Sequence, residues 1–120
     1  MNDNFIFTDD EGARSYHALN VIVPRSINSK ADLLGLLSRD LYFPKTFGAN
    51  WDALFDCLCD LSWIRERRIV IAHESVPSLP AADLRAYLGV LGDAVTSWRD
   101  NPGVHELAII FPKAASATLL

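Results

Sequence analysis

Short apolar runs separated by helical patterns constrain the fold of this chain more than any other feature. Residues 68–72 (RIVIA) and 106–111 (ELAIIF) are each bounded by charged or turn residues. At five or six residues they are too short for core helices and read as buried strands. Residues 17–24 (HALNVIVP) have a β-branched centre and read as the first secure strand. The stretches between carry helix signals. Ser29 is an N-cap with Asp32 near the capping-box position, and Leu33, Leu34, Leu36 and Leu37 share one broad side of a helix that ends near Tyr42, before Pro44. Gly48 lets the chain turn, and Asn50 caps a second helix from Trp51. Pro80 opens a third, with Leu84, Tyr87, Leu88, Leu91, Val95 and Trp98 at helical spacing and a stop at residues 101–103 (NPG). The order strand, two helices, strand, helix, strand predicts an α/β fold with a small, mostly parallel sheet. Residues 5–7 (FIF) read as a short extra strand or a loose arm. With 120 residues, one domain over 1–120 is expected.

The second helix has an unusual charge pattern. It contains Asp52, Asp56 and Asp60 and no cation. With Leu54 at the centre of the buried stripe, Trp51, Leu58 and Leu61 fall within about 60° of it. Asp52 and Asp56 lie within about 20° of the opposite pole, Asp60 slightly further round, and Phe55 on the flank between core and water. The helix dipole accounts for Asp52 in the first turn. It does not account for Asp56 or Asp60, because like charges at i, i+4 repel. A plain solvated face and a protein-binding face both fit. In the second reading, the carboxylates imitate phosphates beside an aromatic edge, complementing a basic nucleic-acid cleft.

Other chemistries fit less well. Three carboxylates along one straight helix cannot converge on an ion, the outer pair being about 12 Å apart, so no metal site is expected. A convex face offers carboxylates no cleft for acid–base work. Cys57 and Cys59, two apart on a helix, cannot pair; a buried, inert role suits Cys57, and neighbouring acids make Cys59 a poor nucleophile. His17, His73 and His105 show no ligand spacing. His73 and Glu74 follow a strand, where α/β sheets often place active sites, but a turn with two solvated polar residues is the stronger reading. No phosphate-loop or nucleophile motif is present. An enzyme is not expected, nor is a cofactor. The net charge of −4, with the only basic cluster at residues 65–68 (RERR), argues against direct nucleic-acid binding. The lack of a long apolar run and of a signal-peptide pattern predicts a cytoplasmic protein without a membrane span. Oligomeric state is left open.

Residues 42–58 (YFPKTFGANWDALFDCL) resemble the signature segment of the barstar family, intracellular bacterial inhibitors of secreted ribonucleases. The shared pattern is aromatic-Gly-x-Asn-x-Asp-Ala-Leu-aromatic-Asp. The similarity spans about residues 18–111, leaving 1–16 as an N-terminal extension. The resemblance implies a three-stranded parallel sheet covered by helices, with the second helix and its preceding loop plugging a ribonuclease active site. By position it assigns Asp56 to the enzyme's phosphate site, with Asp52 as a second interface acid and Phe55 as an interface aromatic. Phe47, Gly48 and Asn50 fall in the loop that shapes the approach, and Asp93 on the third helix matches a further carboxylate. Thr46 stands where the type member has a stacking Tyr, which opens the choice of target to another toxin nuclease. The expected function is therefore an inhibitor or immunity protein against a basic ribonuclease or toxin nuclease. The alternative is a barstar-fold adaptor that binds another basic protein without inhibiting it.

Overall fold

A computed structural model describes residues 4–10 and 17–119. Of the expected extension over 1–16, residues 1–3 and 11–16 lie outside the described residues. Strand β1 spans Phe5–Phe7, β2 Ala18–Val23, β3 Arg68–His73 and β4 Glu106–Phe111. Helix α1 spans Lys30–Asp40, α2 Trp51–Asp60 and α3 Ala81–Asp100; a 3-10 turn at Lys113–Ala115 runs into a single turn, α4, at Ser116–Leu119.

The strands form one parallel sheet in the order β1-β4-β3-β2. The fold is thus a parallel sheet flanked by helices, but with four strands where three were expected. The physical reason lies in β4, whose last five residues are all buried. So apolar a strand is poorly suited to a bare sheet edge, which invites pairing with another chain. β1 covers it, aligning Phe5 with Ile109 and Phe7 with Phe111. The Phe5 and Phe111 rings meet at 5.3 Å. Asn4 extends the attachment to α3, donating to the Gly92 carbonyl at 2.8 Å and to Thr96 Oγ1 at 2.7 Å, while accepting from Arg99 at 2.7 Å.

Side chains alternate across the sheet as the pleat dictates. Val21, Val23, Ile69, Ile71, Leu107, Ile109 and Phe111 share the main core with Leu33, Leu37, Leu54, Leu58, Tyr87 and Leu91 of the helices. Val70, Ala72, Ala108 and Ile110 form a smaller cluster on the opposite face. The helices therefore stack on one side of the sheet, and α2 presents its outer surface away from it.

The predicted caps form. Ser29 Oγ accepts from the Asp32 amide at 3.1 Å, and Asn50 Oδ1 from the Ala53 amide at 2.7 Å. Helix α1 stops at Asp40, two residues before the expected end. Its closing bonds run from the Phe43 amide to Ser38 O at 2.9 Å and from the Tyr42 amide to Arg39 O at 3.4 Å, a Schellman turn. The left-handed residue of that turn is Tyr42, with φ 55°. Among the described residues, Ala49 (φ 50°) and Leu61 (φ 49°) are the other non-glycines in this region, each at a cost of about 1–2 kcal/mol.

Candidate binding face on α2

Helix α2 is held from three sides. Trp98 of α3 donates its indole N–H to the Leu58 carbonyl at 2.7 Å, and Trp51 donates to Asp83 of α3 at 3.3 Å. Trp51 is half-buried against Tyr87, with the Lys30 ammonium 5.2 Å from its ring centre. At the far end, His105 Nε2 faces the Leu61 carbonyl at 2.7 Å and its Nδ1 faces the Glu66 carbonyl at 2.8 Å. Both acceptors are carbonyls, so a neutral ring, with a single N–H, can donate to only one of them at a time.

What this frame exposes is the acidic row. Leu54 and Leu58 are fully buried, while Asp52 and Asp56 are exposed and make no hydrogen bond or salt bridge with any described residue. Phe55 is half-buried on the flank, as its angular position required. Asp60 differs, because its Oδ1 accepts from the Ser62 amide at 3.3 Å. Asp93 of α3 is exposed; burial raises the pKa of Cys59, and Asp56 and Asp93 add smaller contributions. Burial is the larger cause for both thiols, and Asp56 and Asp60 add to it at Cys57. Cys57 is half-buried rather than buried, and Cys59, about 200° round the helix on the acidic side, is half-buried as well.

The loop before α2 completes the face. Thr46, Gly48 and Asn50 are exposed, and Phe47 is half-buried with its ring centre 4.9 Å from that of Phe43, edge to face. The turn is not made at Gly48, which has no positive φ; Ala49 makes it. A Cβ at Gly48 would sit 3.2 Å from Asn50 Nδ2, so the capping side chain would have to shift by a few tenths of an ångström to admit it. Replacing that cap, Asn50→Ala, should cost about 1 kcal/mol in denaturant unfolding, because the Ala53 amide loses its acceptor.

The His73–Glu74 pair is not the solvated turn that the sequence suggested. His73 is buried, stacked on Phe111 with ring centres 4.1 Å apart. Its Nδ1 donates to Ile110 O at 2.9 Å, which leaves Nε2 to accept from Tyr87 O–H at 2.6 Å. Burial pushes the imidazole pKa down to about 4 against the opposing pull of the Ile110 bond, and raises that of the Tyr87 phenol. Glu74 is exposed and accepts from the Arg25 amide at 2.9 Å. Both nitrogens of the ring are committed, so His73 is not a free base. Among the described residues no group of three His, Cys, Asp or Glu is arranged to hold a metal. No described helix is long and apolar enough to cross a membrane.

Residues 18–109 match the family model described as Barstar (barnase inhibitor), which covers more than half of the chain. The chain belongs to the barstar family. No curated protein matches it. The barstar match begins at the first residue of β2 and so excludes β1 and Asn4. It contains α2, the loop before it, and the part of α3 bearing Asp93. A barstar family member is an inhibitor rather than a catalyst by family description, and its partner there is a ribonuclease, barnase. Sequence reasoning assigned no role to Tyr42, whose left-handed backbone has no sequence signal because the position is not a glycine. It also missed the bridge made by His105, whose two acceptors lie 39 and 44 residues away.

Proposed function

We propose that this barstar-family chain is an inhibitor or immunity protein that occludes the active site of a basic ribonuclease or toxin nuclease. The contact residues in this reading are Asp52, Phe55 and Asp56 of α2, Thr46, Phe47, Gly48 and Asn50 of the loop, and Asp93 of α3. The observation that carries it is the pair of exposed carboxylates, Asp52 and Asp56, left without hydrogen-bond or salt-bridge partners beside a half-buried phenyl ring. On the free protein they repel each other at i, i+4. A cleft built to hold phosphates would relieve that repulsion, and the ring would supply desolvated contact area. Opposite charge would also speed the encounter, most strongly at low ionic strength.

Titration of barnase and other basic secreted ribonucleases with the full chain tests the reading. Stoichiometric loss of RNA cleavage is expected for at least one of them. Capture of a nuclease that stays active when saturated would instead support the adaptor. Thr46, exposed and without a ring, bears on which nuclease is met rather than on whether α2 is the contact face.

A further inference from the structure

We propose that Tyr42 is an aromatic anchor of the same face, stacking on a cationic side chain at the rim of the nuclease's basic cleft. The inference rests on the inhibitor reading above and extends its contact surface to the turn that closes α1.

The three left-handed non-glycine residues among those described, Tyr42, Ala49 and Leu61, all fall between the end of α1 and the end of α2. Leu61 is fully buried, so packing holds it in place. Tyr42 has no such explanation. It is 68% exposed, the most exposed aromatic side chain described. Its place in the Schellman turn is one that glycine fills without strain. A bulky ring stands where the backbone disfavours any side chain and where most of its surface faces solvent. Outliers of this kind gather at ligand-binding surfaces.

The neighbours of Tyr42 make it rigid. Leu41 and Phe43 are both buried. The Leu41 carbonyl accepts from the Trp63 indole at 2.8 Å, and the Phe43 ring meets Trp63 at 6.2 Å and Phe47 at 4.9 Å. With both flanking side chains turned inward, Tyr42 projects outward from a fixed backbone. Trp63 lies just past the C-terminal end of α2, whereas residues 46–50 lead into its N-terminus. Residues 42–50 therefore run along α2, with Tyr42 at the end nearer Trp63. A basic nuclease brings lysine and arginine to this surface, and a cation over a tyrosine face is attracted by the ring. Rigid tyrosines with few rotatable bonds are also efficient contact residues.

The test pairs affinity with stability, using the full chain, barnase and a panel of basic secreted ribonucleases. Tyr42→Gly should unfold at a denaturant midpoint no lower than the parent, because glycine suits the left-handed turn. The same variant should bind its nuclease about tenfold more weakly. Tyr42→Phe, which keeps the ring, should restore most of that affinity. A Tyr42→Gly variant that binds like the parent, while Asp56→Ala has lost affinity, overturns this inference and leaves the inhibitor reading standing. If Asp56→Ala also binds like the parent, or no nuclease is bound at all, both fall. A Tyr42→Gly variant that loses stability along with affinity assigns the ring a structural role and overturns the inference too.

Discussion

Asp56→Ala should weaken inhibition of the cognate nuclease by about 2–5 kcal/mol, or roughly 30-fold to several thousandfold. That range is the one seen for buried charge pairs at protein interfaces, barnase–barstar among them. Asp56 lies at the pole of α2 opposite the buried Leu54, and no local group holds it. In the proposed complex, removing it would leave a nuclease cation buried and unpaired, so the loss should appear mainly as faster dissociation. Free-state stability should stay level or rise slightly, because the variant relieves repulsion with Asp52 and Asp60. Asp60→Ala supplies the contrast. Its carboxylate is already engaged by the Ser62 amide and lies further from the pole, so its effect on binding should be much smaller. Stopped-flow binding with parallel denaturant melts would separate these outcomes. An Asp60 effect equal to that of Asp56 would place the contact elsewhere.

Acid should destabilise the protein through His73. The fold holds this imidazole neutral, with a pKa of about 4 against 6.5 in the unfolded chain. Between those values the unfolded state binds the extra proton, so stability is fully present above about pH 6.5. It is lost as pH falls toward 4, by ~3 kcal/mol in all. The cause is geometric: protonated Nε2 could no longer accept from Tyr87, and the charge would sit between Phe111 and the core. Urea melts from pH 7.5 to 4 should show the slope, and His73→Gln should flatten it even if that variant is less stable throughout. A slope unchanged in His73→Gln would assign the acid sensitivity to the carboxylates instead.

The parts of the fold that were legible in the sequence are those set by local patterns. The runs at 18–23, 68–73 and 106–111 are apolar enough to be buried strands wherever they pair, and Ser29 and Asn50 announce their helices through side-chain chemistry alone. The acidic pole of α2 followed from angular spacing once Leu54 was placed inside. Properties that depend on distant partners were harder to read. Three residues at 5–7 are too few for a periodicity, and only the unbroken burial potential of β4 hinted that it needed a second neighbour. The burial of His73 required Tyr87, Ile110 and Phe111 to converge from two other elements. The left-handed turn expected at Gly48 falls on Ala49 instead, a position that no local sequence signal marks.

The pairing of β1 with β4 also has a consequence for how the chain is made. Phe5 and Ile109 are register partners although 104 positions separate them. The strand synthesised first therefore has to wait for the strand synthesised last, and the Asn4 clamp on α3 cannot close before α3 exists. A loop that long is slow to close, so the sheet is completed only after the last strand leaves the ribosome. Until β1 pairs, β4 has one bare edge.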